Sequence, residues 1–177
     1  MKPPSIDDLK ATNGDYQKTY HWVVRFTKVP NVIRTLISSE KFNARCTSVT
    51  LPKLTNSKID VNVRGVQIRI PGISKYSDNI TVKLLETTDA YVRRAIEAWR
   101  EACWSYKTGK SKNYADIIGT MSIDMLEVDH SIVPTSSTYV NDVWMTDYTL
   151  PELGNGNEVW SPTLTLTYNY SNPVNSN

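Results

Sequence analysis

Two stretches of strict alternation, out of phase with each other and separated by one glycine, limit this chain more than any other feature in it. Ile59, Val61 and Val63 alternate with Asp60, Asn62 and Arg64; the phase then slips by one, and Val66, Ile68 and Ile70 alternate with Gln67 and Arg69. A period of two is the mark of a half-buried strand. Gly65 supplies the positive φ that a tight reversal or bulge needs, so the pattern predicts a hairpin turning at Arg64-Gly65, each arm with a wet and a dry face. Such a hairpin is marginal alone and needs a sheet or a neighbouring chain to pair with.

The rest of the sequence reads as mainly β with one flanking helix. Strands are expected over Tyr20 to Lys28, Asn43 to Leu51, Ile80 to Glu86, Gly119 to Val128, Tyr139 to Leu150 and Val159 to Tyr170, with a short helix between Pro30 and Ser39. Pro52 stops the second strand, and Pro71-Gly72 is expected to turn the chain after the hairpin. In the last strand Leu164, Leu166, Tyr168 and Tyr170 share one face, and Thr163, Thr165, Thr167 and Asn169 the other, which is polar but uncharged. A helix is expected from Thr88 to Tyr106, capped by Thr87 or Thr88, with Asp89 in its first turn. Val92, Ala95, Ile96, Trp99, Ala102 and Cys103 form its apolar stripe, and Arg93, Arg94, Glu97, Arg100 and Glu101 its charged face. That face suits either solvent or a docking partner.

A chain of 177 residues is expected to form one domain able to bury about 70% of its unfolded surface without disulfides or metal. The expected division is a loose N-terminal arm over 1–18, a single domain over 19–170 and a frayed tail over 171–177. The start, Met1-Lys2-Pro3-Pro4, leads into polar residues, and no apolar run approaches the roughly 18 residues that would span a bilayer. Folding in a cytoplasm without membrane contact is the expectation. Charge is sharply segregated: all 20 Lys and Arg lie at or before Lys112 together with ten acids, whereas Asn113 to Asn177 holds eight acids and no base. This suits head-to-tail contact between copies, and equally a fold that interleaves the two parts. The net charge of +2 does not argue for a nucleic-acid binder.

Catalytic chemistry is not assembled by the sequence. Cys46 and Cys103, the only cysteines, lie in no zinc or redox spacing and are expected reduced and buried. His21 and His130 have no local partners that would make them bases or ligands, and Asp124, Glu127 and Asp129 do not share one strand face. Gly109-Lys110-Ser111 lacks the first glycine and the preceding strand of a phosphate loop. No catalytic, cofactor or metal residue is therefore expected, and an enzyme is the least supported class.

Taken in order, Cys46-Thr47-Ser48-Val49-Thr50-Leu51-Pro52, then Arg64-Gly65-Val66-Gln67-Ile68-Arg69-Ile70-Pro71-Gly72, then a strand and a helix ending in Ala98-Trp99, resemble the tail tube proteins of contractile-tailed bacteriophages. Val133-Pro134-Thr135-Ser136 and the closing Asn157-Glu158-Val159 through Thr165-Leu166-Thr167-Tyr168-Asn169-Tyr170 are similar to that family's C-terminal portion. The basic connector from 107 to 113 departs from its usual pattern, as does Val133, which stands where the family often has an aromatic.

The resemblance implies a β-sandwich or partial barrel that completes a large β-barrel when six copies form a ring, the rings stacking into a hollow conduit for DNA inside a contractile sheath. It implies as partners further copies, the sheath, baseplate and terminator proteins, and transiently the tape measure protein and DNA, in a virion assembled in a bacterial cytoplasm. On this reading Lys58, Ile59, Asp60, Val61, Asn62, Val63, Arg64, Gly65, Val66, Gln67, Ile68, Arg69 and Ile70 carry the intersubunit and ring-stacking pairing. Arg93, Arg94, Glu97, Arg100 and Glu101 face the sheath, and Thr163, Thr165 and Thr167 line the channel. A lumen free of Lys and Arg fits a passing polyanion, which it should not grip. A tube-initiating baseplate protein or the inner tube of a type VI apparatus shares these features. A monomeric β-sandwich with Trp22, Trp144 and Trp160 as a ligand platform is the alternative of another class.

Overall fold

The computed structural model describes residues 19–36, 38–77, 79–126, 134–154 and 158–175. The expectations for the 1–18 arm and for Glu127, Asp129, His130, Val133 and Asn157 fall outside them. In chain order the elements are β1 (Trp22–Lys28), α1 (Ser39–Asn43), β2 (Cys46–Val49), β3 (Leu54–Val63), β4 (Val66–Tyr76), β5 (Asn79–Leu84), α2 (Tyr91–Cys103), α3 (Tyr114–Ile117), β6 (Gly119–Leu126), β7 (Pro134–Thr149), β8 (Thr163–Thr167) and β9 (Tyr170–Asn175). Seven strands form one sheet in the order β1-β6-β7-β8-β5-β2, with β9 also on β7, and β3 and β4 form a separate two-stranded sheet.

β7 joins the two halves of the large sheet. Its first part pairs with β6 and β9, and from Trp144 onward it pairs with β8. At the changeover Asp142 takes a left-handed φ of 52° and accepts from Asn169 Nδ2 at 3.0 Å, a conformation that Asp tolerates because its short side chain bonds locally. Both halves feed one core: Val24, Phe26, Met121, Ile123 and Val140 from one, Ile80, Val82, Leu84, Leu164 and Leu166 from the other. The expected alternation holds here. Ile80 pairs with Leu166 and Val82 with Leu164, all four fully buried.

Helix α2 closes the core with Val92, Ala95, Ile96, Trp99 and Ala102, the stripe read from the sequence. It is shorter than expected at both ends. Thr87 and Thr88 do not cap it: Ala90 holds the cap position with no side-chain bond. The cap comes from Glu86, which accepts from Val92 N at 3.0 Å and Arg93 N at 2.6 Å, placing a carboxylate on the positive end of the helix. Thr87 Oγ1 is instead engaged with Asp89 and Arg45. At the other end Lys112 N donates to Ala102 O at 2.9 Å and Ser105 N to Lys110 O at 2.9 Å, so a returning loop takes the carbonyl and stops the helix before Tyr106.

Three further expectations are corrected. Pro71-Gly72 does not turn the chain; β4 runs on to Tyr76, with Pro71 opposite Lys58 and a bulge between Asn56 and Lys58. An edge strand tolerates the missing N–H of Pro71, and Gly72 fits the bulge because a Cβ there would lie 2.5 Å from Ser57 Oγ. The stretch expected to fray from Ser171 forms β9, paired with β7 from Asn141 to Ser136. The strand expected over 159–170 is interrupted, so Tyr170 belongs to β9 and is exposed while Leu164, Leu166 and Tyr168 are buried.

Candidate assembly surfaces

The β3–β4 hairpin turns where the sequence predicts. Val63 pairs with Val66, and the two residues between them, Arg64 (φ 49°) and Gly65 (φ 84°), both have positive φ. Two positive φ values in a two-residue loop define the primed turn whose twist suits a hairpin. The register Ile59–Ile70, Val61–Ile68, Val63–Val66 puts six aliphatic side chains on one face. Lys58 with Pro71, Asp60 with Arg69 and Asn62 with Gln67 occupy the other, where Asp60 and Arg69 form a 3.4 Å ion pair.

This apolar face is uncovered: Val61, the least exposed of the six, keeps 36% of its surface and Val66 keeps 63%. At its root the hairpin is closed by Ser77 N donating to Lys53 O at 2.7 Å and Lys53 N to Ser77 Oγ at 3.1 Å, and it meets the large sheet there through Ser77 Oγ, 3.2 Å from the Tyr168 hydroxyl. The Tyr76 ring also meets the Tyr168 ring edge-on there. An arm of ten residues reaches about 30 Å. Covering its half-exposed aliphatics would gain roughly 1 kcal/mol apiece, and a two-stranded ribbon cannot supply that cover itself.

A second surface lies on the outer face of β8. Thr163, Thr165 and Thr167 are half-buried, opposite Lys83, Thr81 and Asn79 of β5. Thr167 Oγ1 donates to Asn79 Oδ1 at 2.9 Å, Thr146 Oγ1 to Thr165 O at 3.1 Å, and Thr81 Oγ1 to Thr50 Oγ1 at 3.3 Å. The hydroxyls of Thr167, Thr146 and Thr81 are thus held by neighbouring side chains and the backbone, on a face that also carries the exposed Lys83 opposite Thr163.

The third is the charged face of α2. Arg93, Arg94 and Glu97 are exposed, and Arg100 and Glu101 are half-buried. Arg93 pairs with Glu97 at 2.8 Å and Arg100 with Glu101 at 3.7 Å, exposed pairs that add little stability. These three surfaces lie on separate elements and do not converge on a reaction centre. Among the described residues no cluster of His, Cys, Asp or Glu could hold a metal ion, and no helix is long and apolar enough to cross a membrane.

The remaining candidates stay scattered. Among the described residues no ring contact links any two of Trp22, Trp144 and Trp160: Trp144 meets Tyr114 and Trp160 Nε1 donates to Pro151 O. His21 is buried, edge-on to Tyr20. Cys46 and Cys103 are free and only half-buried; burial still pushes the Cys46 thiol up to about 12 and raises that of Cys103, so neither is a ready nucleophile. The sequence reading missed that among the described residues β1 and β2 each pair on one side only, with β6 and β5. They border a cleft of about 440 Å³ lined by Trp22, Val24, Cys46 and Thr47, so the sheet is left open between its two outer strands. It also missed the exposed Trp104, Tyr106 and Leu153: the first two were expected inside the helix, which ends at Cys103, and Leu153 sits in a loop that periodicity cannot flag.

No protein-family model and no curated protein matches the sequence. Solved structures do match. A chain of the anti-feeding prophage cap (AFP tube terminating cap) superposes with a TM-score of 0.63 at 16% identity, covering 93% of this chain and 94% of the other. A chain of the sheath/tube terminator of an extracellular contractile injection system, PVC, in the extended state gives 0.63 at 17% identity, covering 91% and 98%. One from the sheath-tube complex of PVC gives 0.60 at 17%, covering 97% and 100%. The chain has the fold of these contractile-injection-system proteins. In this tube-type fold the open sheet, the flanking helix and the projecting hairpin belong to one architecture that spans nearly the whole chain.

Proposed function

We propose that the chain is a structural subunit of the tube of a contractile apparatus, a phage tail or a related injection device, and has no catalytic role. Copies close into six-membered rings, and the rings stack into a hollow conduit. The observation that carries this reading is the β3–β4 arm: a long ribbon with a continuous aliphatic face that none of the described residues covers, on a fold shared with chains of tube and terminator structures. Residues Lys58 to Ile70 supply the contact between copies, which also closes exposed strand edges. The threonine face of β8 lines the conduit, where hydroxyls with a single exposed base beside them, Lys83, grip a polyanion far less than a face rich in Lys and Arg would. The contractile sheath surrounds the tube, and baseplate and terminator proteins meet its ends.

The test is direct. Purified protein at rising concentration should give rings and tubes in negative-stain micrographs and a fast-sedimenting species; a solitary particle at every concentration overturns the reading. A tube-end cap is the second reading, favoured by the likeness to the tube terminating cap, and it differs in giving rings without extended tubes.

The charged face of α2 is proposed to meet the sheath. Arg93→Glu with Arg94→Glu should leave tube formation and melting temperature unchanged and weaken sheath co-sedimentation about tenfold, the scale of an exposed charge reversal at an interface. Loss of the tube itself would show that this face lies between copies.

A further inference from the structure

Helix α2 carries surfaces of opposite charge at its two ends. Beyond its C-terminal end the chain folds back from Trp104 to Lys112, held by Gly109 N donating to Ser105 O at 2.8 Å and Lys112 N to Ala102 O at 2.9 Å. Lys107, Lys110 and Lys112 are exposed there beside Trp104 and Tyr106, which keep 60% and 67% of their surface. Among the described residues none of the three lysines is in an ion pair. Beside this loop lies a groove of about 940 Å³ whose apolar wall is Val32, Ala98 and Ala102. Its two acids are already engaged: Glu101 faces Arg100 and Asp116 accepts from Asn31 Nδ2 at 3.0 Å.

At the N-terminal end of α2, Glu86 caps the helix and its N–H donates to Trp160 O at 3.1 Å, while Trp160 Nε1 donates to Pro151 O at 3.0 Å. These bonds hold Glu152, Leu153, Glu158 and Val159 near that end. Leu153 is 90% exposed and Val159 64%. Neither Glu152 nor Glu158 has an ion-pair partner among the described residues. The two surfaces are thus separated by a helix of 13 residues, about 20 Å long.

We propose that the Glu152-Leu153 and Glu158-Val159 surface of one copy docks on the Lys107–Lys112 groove of the copy stacked on it. Leu153 enters over Val32, Ala98 and Ala102, with Glu152 and Glu158 set against Lys110 and Lys112. Complementary patches at opposite ends of one rigid element make a head-to-tail contact that repeats without using itself up, and the charge match fixes the direction of stacking. The proposal rests on the tube reading and adds to it a second axial contact, on residues separate from those of the hairpin.

Three variants and their combination test it: Lys107→Glu/Lys110→Glu/Lys112→Glu, Glu152→Lys/Glu158→Lys, both sets together, and Leu153→Ala. Each charge-reversed set should form rings but shorten the stacks about tenfold in micrographs, and the two sets combined should restore their length. Leu153→Ala, at a site too exposed to affect folding, should shorten stacks with every charge kept. Tubes of wild-type length from the single sets, or no recovery on combining them, overturn this contact and leave the tube reading standing. A wild-type protein that never assembles overturns both.

Discussion

Replacing Val61 and Ile68 by aspartate is expected to give a folded monomer that no longer assembles. The two residues face each other across β3 and β4 at the middle of the aliphatic face. In the isolated chain both are partly in water already, so the new carboxylates are hydrated. Like charges directly opposite cost the hairpin a fraction of a kcal/mol, about the size of one unfavourable cross-strand pair. The core residues lie on other elements, and the melting temperature should move by no more than about 2 °C. Assembly is another matter, because covering the face now buries two unpaired carboxylates where two aliphatic groups stood. Each buried polar group without a partner costs several kcal/mol, and a charge costs more, which exceeds the roughly 1 kcal/mol that each aliphatic contributed. Sedimentation velocity should therefore show one slow species at concentrations where the wild type forms rings, while Val61→Ala/Ile68→Ala falls between. Tubes from the aspartate variant would remove the hairpin from the interface.

The hairpin was legible because its information is local. Alternation sets the faces, and the slip at Arg64-Gly65 sets the turn, so the register from Ile59–Ile70 to Val63–Val66 follows from the residues alone. The same holds for Ile80, Val82 and Leu84 and for the stripe of α2. What was not legible depends on partners distant in sequence. Pro71-Gly72 has the composition of a turn, and only the bulge opposite Ser57 shows that it lies within a strand. Residues 171–175 look like the start of a polar tail, and only the edge offered by β7 makes them part of β9. The sequence offers Thr87 or Thr88 as the cap of α2, whereas Glu86 reaches it from just beyond β5. The order of motifs points to a tube-type fold, but the bond from Lys112 N to Ala102 O that ends α2 early and leaves Trp104 and Tyr106 outside it is set by a distant residue, and the loop carrying Leu153 follows no period.

Trp99→Ala should be the most damaging single substitution on α2. The indole is 1% exposed, and its Nε1 donates to Ile117 O at 2.8 Å, tying the helix to the short α3 that leads into β6. Removing it opens a large cavity, and such truncations cost about 3–5 kcal/mol. For a chain of this size that corresponds to a fall of roughly 10 °C in melting temperature. Trp99→Phe separates the causes, since it keeps most of the packing and leaves the Ile117 carbonyl without its donor, a loss of about 1–3 kcal/mol. Calorimetry of the two variants reads packing and hydrogen bond apart; a Phe variant as stable as the wild type would mean that the indole N–H is not needed. The consequence reaches assembly because the groove beside Ala98 and Ala102 is built on the same stretch of α2. A helix that shifts to fill the cavity moves that groove, so Trp99→Ala should shorten stacks even well below its own melting temperature. Stacks of wild-type length from a destabilised Trp99→Ala protein would show that the groove keeps its shape without the indole, and would separate the helix's structural role from its part in the axial contact.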